Sequence, residues 1–199
     1  MDVHLMMSLP LMICNNPTVG TISKASGTWN NQAKMTWGAA LSVSGIPNVT
    51  RESEVITYFD GQDYSQTLIS RRGSKNYNSW TPDDYNASGT YPAVSCCDMF
   101  FTPGTEQTSW YLPAAGELYY LYQNYDAIEN ALTALVDNGC FACTMEDDEY
   151  WSSNDGGTIY AWTVVAKSGS ASRELKASDR YPVRAFHKIS INDIDPFDF

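Results

Sequence analysis

The clearest periodicity in the chain is a run of apolar side chains at steps of three and four: Leu118, Leu121, Tyr122, Tyr125, Ile128, Leu132 and Leu135. Such spacing predicts a helical stripe facing a core, with Asp126 restarting the helix after a kink and Gly139 stopping it. Past residue 149 the period changes from helical to two. Ile159–Val165 is β-branched and aromatic and reads as a strand. Arg173–Lys176 is a weaker strand, and Tyr181–Phe186 a third. Tight turns such as Ser168-Gly169-Ser170 join them, so the expected C-terminal layer is three short antiparallel strands.

The first half is more broken. Tyr91–Phe101 is apolar and opens with Pro92, a residue tolerated in a first helical turn, so a helix is expected there. Asp63 begins a shorter helix with Tyr64, Leu68 and Ile69 on one side. Met35–Leu41 reads as a short helix capped by Thr36 and broken by Gly45-Ile46-Pro47-Asn48. Residues 53–60 alternate weakly, as a strand would. Residues 15–34 are turn-rich, and 71–90 form a long polar loop of the kind that often carries function. Val3–Cys14 is apolar but too short to span a bilayer and lacks a basic leader, so it reads as a buried strand. The tail, Ile189–Phe199, is acidic with bulky apolar residues, suited to local packing or to a contact strand. No internal repeat is present.

Composition narrows the function classes. The 199 residues suit one domain, and a hydrophobic content of 43% is enough for a core. A net charge of −11 opposes binding to nucleic acid, which needs a Lys/Arg footprint on the phosphates, and opposes anionic lipid surfaces. Aromatic residues are abundant and charged ones few, which favours polar-aromatic loops over a long helical bundle.

The five cysteines, at 14, 96, 97, 140 and 143, are an odd number and make no clean disulfide framework. Cys96 and Cys97 read as small core residues on a helix. Cys140-Phe141-Ala142-Cys143 has redox or half-zinc spacing. It follows a helix and has no second pair, so reduced thiols or a local disulfide are the expectation.

Two stretches carry the most information. Trp110-Tyr111-Leu112-Pro113-Ala114-Ala115-Gly116-Glu117-Leu118 is a short strand ended by proline and followed by a helix start. Glu117 falls in the first turn, where the free backbone N–H groups favour a carboxylate. The second is Tyr150-Trp151-Ser152-Ser153, then Ala161-Trp162, then Tyr181-Pro182-Val183-Arg184-Ala185-Phe186. Their order over residues 91–187 resembles a bacterial branch of the C-type lectin fold. That branch includes domains of surface and secreted proteins and the variable ligand-binding proteins that retroelements diversify in bacteria and phages.

The resemblance implies an α+β domain of C-type lectin-like fold, with short helices packed on small antiparallel sheets. Residues 1–199 would form one such domain: strands, short helices and a long loop over 1–90, the motif region over 91–187, and an acidic tail over 188–199. It further implies a display role at the cell surface, outside the cell or on a phage virion, with a protein or glycan ligand on another cell or molecule. Trp110, Leu112, Glu117, Leu118, Trp151, Ser152, Ser153, Trp162, Val183 and Arg184 would be structural anchors. The large apolar members, with Leu121 and Phe186, would share one core.

Between those anchors lie residues of paratope-like composition, in which Tyr gives area and Ser, Gly and Asn adapt. The expected ligand face comprises Asp155, Thr158, Tyr160, Ser168, Ser170, Ser172, Arg173, Asp179 and Tyr181. The reasoning is alternation: if Trp151, Trp162 and Val183 point inward, the residues between them face water. Lys167, Glu174 and Lys176 interrupt this set.

Catalysis is not expected. Glu117 has no partner carboxylate in a motif, and a Ser152 or Ser153 nucleophile would need a histidine base. The two histidines, His4 and His187, lie in no motif. Glu146-Asp147-Asp148-Glu149 reads as a solvated acidic loop rather than a metal site. Vertebrate C-type lectins use Glu-Pro-Asn or Gln-Pro-Asp and Trp-Asn-Asp loops for calcium. Here Ile46-Pro47-Asn48 is in the wrong half, and Trp151 is separated from Asn154-Asp155 by two residues. Formylglycine-generating enzymes share the fold, but no segment matches their cysteine motifs. The expectation is therefore a ligand-binding display domain without metal or cofactor, the alternative a structural surface or pilus-type subunit, and the third reading a small glycan hydrolase.

Overall fold

The computed structural model describes residues 4–8, 34–71, 91–98, 110–137, 145 and 147–190. The elements in chain order are β1 (His4–Ser8), α1 (Glu52–Val55), α2 (Gly61–Arg71), α3 (Pro92–Asp98), β2 (Trp110–Tyr111), α4 (Ala115–Gln123), α5 (Tyr125–Asp137), β3 (Glu149–Asp155), β4 (Tyr160–Val165), β5 (Ala171–Leu175) and β6 (Phe186–Ser190). They form a mixed α and β structure with two three-stranded antiparallel sheets, ordered β1-β6-β2 and β3-β4-β5.

Several elements follow directly from the pattern. The helical stripe becomes α4 and α5, broken at Asn124, with Leu118, Leu121, Tyr122 and Leu132 buried. Helix α2 buries Tyr64 and Leu68, and α3 starts at Pro92. The strand at Tyr160–Val165 is the centre of its sheet.

Three local expectations are corrected. Met35–Leu41 is not a helix. Met35 instead exchanges backbone hydrogen bonds with Tyr181, N to O at 3.0 Å and O to N at 3.1 Å. Two indoles tie the segment further to β3, so tertiary bonds override a modest helical pattern. Residues 53–60 are not a strand; they hold most of α1 and the turn after it. The third member of the C-terminal layer is β3 rather than Tyr181–Phe186. Strand β6 begins only at Phe186 and crosses to the other sheet, pairing Phe186 with Ser8 and Tyr111. The backbone groups freed at 182 are used by β3, since Trp151 N–H donates to Pro182 O at 3.0 Å.

The expected single core is two clusters. Trp110, Leu112, Trp151 and Val183 pack with Met35, Trp37, Tyr64 and Leu68. Leu118, Leu121, Trp162 and Phe186 pack with Val49, Val55, Tyr111 and Tyr150. Strand β3 lies between them, so Tyr150 and Trp151 bury opposite faces and Tyr150 through Asp155 are all inaccessible. Each fully buried large side chain contributes about 1.5–3 kcal/mol. Trp151 and Trp162 are both buried, as the alternation requires.

The turn-rich segment 15–33, the loop 72–90, Gly139, the cysteines at 14, 140 and 143, and the tail 191–199 lie outside the described residues. Of the apolar N-terminal stretch, the backbone of His4–Ser8 is a strand. No helix among the described residues is long and apolar enough to cross a membrane.

Candidate functional site

The anchors form a connected frame around the start of α4. Ala114 N–H donates to Glu117 Oε2 at 2.7 Å, and the Tyr111 hydroxyl to Glu117 Oε1 at 3.2 Å. The first helical N–H groups are met from elsewhere: Ala115 donates to Asn154 Oδ1 at 2.7 Å and Gly116 to Tyr58 O at 3.0 Å. Remote partners thus satisfy donors that a helix start leaves unpaired. Glu117 is buried, and burial raises its pKa to about 7 against the opposing pull of the Ala114 N–H. Both oxygens accept bonds from the frame, which makes this carboxyl part of the scaffold.

The serines after Trp151 are also structural in geometry. Ser152 Oγ–H donates to Trp162 O at 2.8 Å and accepts from Asn154 N–H at 3.3 Å. Ser153 N–H donates to Pro113 O at 2.8 Å, and its hydroxyl is buried. Arg184 and Val183 are buried. His187 stacks on Trp110, with ring centroids 5.2 Å apart.

The nine residues of the expected ligand face do not share one face. Arg173 pairs with Trp162 and Leu175 with Tyr160, so Tyr160, Arg173 and Leu175 lie on one side of the sheet. Ser172 pairs with Thr163 and belongs to the other side, where Tyr181 packs edge-on against Trp151 at 5.1 Å and hydrogen-bonds Glu174. A second separation runs along the strands. Thr158 and Tyr160 stand at the start of β4, whereas Ser168 and Ser170, bonded Oγ to Oγ at 2.8 Å, cap its far end. A strand of this length spans about 17 Å. Asp179 is half-buried, and its Oδ2 accepts Leu175 N–H at 2.8 Å.

What remains together is Tyr160 and Arg173, while Thr158 bonds to Ser42. Thr158 and Arg173 are exposed and Tyr160 half-exposed. The Arg173 guanidinium lies over the Tyr160 ring at 5.4 Å, a cation–π arrangement. Ile159 and Leu175 beside them are unusually exposed for large apolar residues.

Asp155 is the clearest departure from the alternation argument. It is 1% exposed and forms an ion pair with Lys176, itself 0% exposed, at 2.9 Å. Its Oδ2 accepts Val43 N–H at 2.7 Å and its Oδ1 accepts Gly157 N–H at 2.7 Å. The carboxylate faces the interior because β3 is enclosed on both sides. Lys176 read as an interruption of a surface set. The available signal was parity: it follows Ser172 and Glu174 on the inward side of β5.

Glu146 lies outside the described residues, and the other three acids of the run take separate partners. Asp147 pairs with Lys167 at 2.7 Å, Asp148 with Lys34 at 2.6 Å, and Glu149 accepts from the Thr163 hydroxyl at 2.6 Å. Among the described residues no three His, Cys, Asp or Glu side chains are grouped to hold a metal ion. Cys96 and Cys97 are free, buried thiols whose pKa values burial raises, that of Cys96 to about 12. Thiols so protonated are poor nucleophiles.

No protein-family model matches the chain, and no curated protein matches it. Among solved structures, it is similar in fold to a fimbrial protein from Bacteroides ovatus ATCC 8483, with a TM-score of 0.51 and 16% sequence identity. The likeness covers 93% of this chain and 43% of that one, so the chain spans less than half the length of its structural neighbour. At this identity the likeness concerns the fold alone.

Proposed function

We propose that this chain is a domain of a fimbria-type surface protein, acting as a structural or display unit of a pilus-like assembly. The observation that carries this reading is the fold likeness to part of a fimbrial protein over 93% of the chain. Net charge and composition are compatible with an exposed protein, since a strongly acidic surface stays soluble and avoids nucleic acid. The experiment is immunogold labelling of intact producing cells with antibody against the folded domain, alongside protease shaving. Labelling of surface fibres is expected, and protein confined to the cytoplasm would overturn the reading.

A second reading is favoured by one feature, the accessible Tyr160–Arg173 pair. In this finer version the domain is C-type lectin-like and binds a protein or glycan ligand. Burial of Trp151 and Trp162 beside α4 supports that fold, as does the serine bonding after Trp151. Binding without turnover fits the engagement of Glu117 in the frame. Glycan-array screening tests it. Retroelement diversification is finer still. A reverse transcriptase gene nearby, with an imperfect repeat of this gene's end, would support it.

A further inference from the structure

Three segments far apart in sequence meet at the ammonium of Lys176. Its Nζ donates to Asp155 Oδ1 at 2.9 Å, to Leu41 O at 2.8 Å and to Gly157 O at 2.7 Å. An ammonium has three N–H donors, and here each has one oxygen. The Trp37 ring closes the remaining side, its centroid 4.7 Å from Nζ. The cage is lined by one carboxylate, two backbone carbonyls and an aromatic face, and the whole side chain is inaccessible to water.

The oxygen set fits one kind of occupant. Contacts of 2.7–2.9 Å are hydrogen-bond lengths. Calcium requires six or more oxygens at about 2.3–2.6 Å and more carboxylate charge than one group provides. An aromatic face attracts an alkylammonium through its quadrupole. Burial lowers the Lys176 pKa, and the hydrogen bond and charge of Asp155 oppose that shift.

The cage also sets the surface above it. Leu41 and Gly157 give their carbonyls to Lys176. Their neighbours Ser42 and Thr158 join hydroxyl to hydroxyl at 3.2 Å. Leu41 at 60% exposure and Ile159 at 43% flank that bond. Lys176 N–H also donates to Ile159 O at 2.9 Å, so one residue holds this rim by both backbone and side chain.

We propose that Lys176 fills an alkylammonium-binding cage and acts as a positioning residue for the rim of Leu41, Ser42, Thr158 and Ile159, and that removing its side chain opens a site for a free primary ammonium ion.

The test is chemical rescue. Lys176→Ala removes the atoms of n-propylammonium and strands Asp155, and should lower Tm by about 10 °C. n-Propylammonium chloride should then raise Tm by several degrees in excess of sodium chloride at equal ionic strength, because it binds the folded state alone. Tetramethylammonium, which has no N–H, and calcium should give no such rise. Lys176→Met, which refills the stem volume, should not respond to propylammonium. A Lys176→Ala protein that folds but is indifferent to propylammonium overturns the proposal, as does equal rescue by tetramethylammonium. If Lys176→Ala does not fold, lysine acylation of the native wild type decides. Labelling of Lys176 only at the rate of global unfolding supports the cage, and labelling as fast as exposed Lys167 overturns it.

Discussion

Trp37 and Trp151 are cross-tied through their indoles: Trp37 Nε1–H donates to the carbonyl of Ser152 at 2.8 Å, and Trp151 Nε1–H donates to the carbonyl of Met35 at 2.7 Å. Both rings are buried in the same cluster. Each indole therefore packs as an apolar body and satisfies its own N–H on a buried carbonyl, which in the case of Met35 O also accepts the Tyr181 N–H. A third indole repeats the device, with Trp162 Nε1–H bonded to Val49 O at 2.9 Å. Segments 35–49 are fixed to the β3-β4-β5 sheet by these bonds rather than by a helix of their own.

Trp37→Phe and Trp151→Phe each remove one donor and part of a ring. Each should cost about 2–4 kcal/mol in urea unfolding, since a buried carbonyl loses an indole donor and a void opens. The two costs should be non-additive, because both bonds hold the same pair of segments. Strict additivity in the double-mutant cycle would show that the bonds act separately.

Glu117 gives a signed pH dependence. Its folded pKa is raised to about 7 from an ordinary value of 4.5, chiefly by burial. The folded state therefore keeps a proton that the unfolded chain has already released. The stability from this group is fully present below 4.5 and is lost as pH rises through about 7. Glu117→Gln preserves an oxygen for the Ala114 N–H and abolishes the titration. The variant should match the wild type near pH 4 and exceed it in urea midpoint at pH 8. A constant difference between the two across that range would contradict the assignment.

Two glycines mark where backbone meets backbone. A Cβ on Gly61 would collide with the Glu117 carboxylate and the Ala114 nitrogen, and one on Gly116 with the Tyr58 and Ile56 carbonyls. Gly61→Ala and Gly116→Ala should each destabilise by about 1–3 kcal/mol or more, read as a lowered urea midpoint. Gly45→Ala, at φ +95°, should also destabilise, but for backbone strain, since its nearest neighbour is the flexible end of Thr67.

The elements that the sequence made legible are those whose signal is local. Periodicity located α2, α4 and α5, and period-two patterning located β4. Pro92 marked a helix start, and Trp110, Trp151, Trp162, Ser152 and Ser153 are buried. What escaped were relationships between distant segments. Met35–Leu41 has helical spacing, yet its polar groups are claimed by Tyr181, Trp151 and Ser152. Alternation assumed that β3 has a wet face. Enclosure between two clusters removed it, taking Asp155 inside. The expected ligand face failed as one surface because alternation places residues in or out but not on the same side. Arg173 and Ser172 are adjacent in sequence and opposite in space. Lys176 could not be located by composition, since its partners at 41, 155 and 157 are joined only by the fold.

Among the described residues β5 is an edge of the β3-β4-β5 sheet, and side chains close that edge. Strand β5 turns the N–H groups of Ala171 and Leu175 outward, and each meets a carboxylate: Glu52 Oε1 at 2.9 Å and Asp179 Oδ2 at 2.8 Å. Plugs at both ends leave little of the edge for a strand from another molecule to pair with, and their charge repels it. Glu52→Ala combined with Asp179→Ala should promote concentration-dependent self-association, seen by sedimentation velocity. A monomer as stable and as soluble as the wild type would show that the edge needs no such protection.

Tyr160 and Tyr181 stand on opposite sides of that sheet and should respond differently to truncation. Tyr160 is half-exposed beneath Arg173, so Tyr160→Ala and Arg173→Ala remove a cation–π contact worth about 0.5–1 kcal/mol at an accessible site and should leave the fold intact. Tyr181 packs on Trp151, hydrogen-bonds Glu174, and exchanges both backbone bonds with Met35. Tyr181→Ala should therefore cost about 2–4 kcal/mol, because it uncovers a buried tryptophan and opens a void beside it. This difference sets how binding data must be read. Loss of a ligand in Tyr160→Ala or Arg173→Ala would report on contact, whereas loss in Tyr181→Ala would report on the core. Urea unfolding of the three variants checks the distinction, and equal destabilisation by all three would remove it.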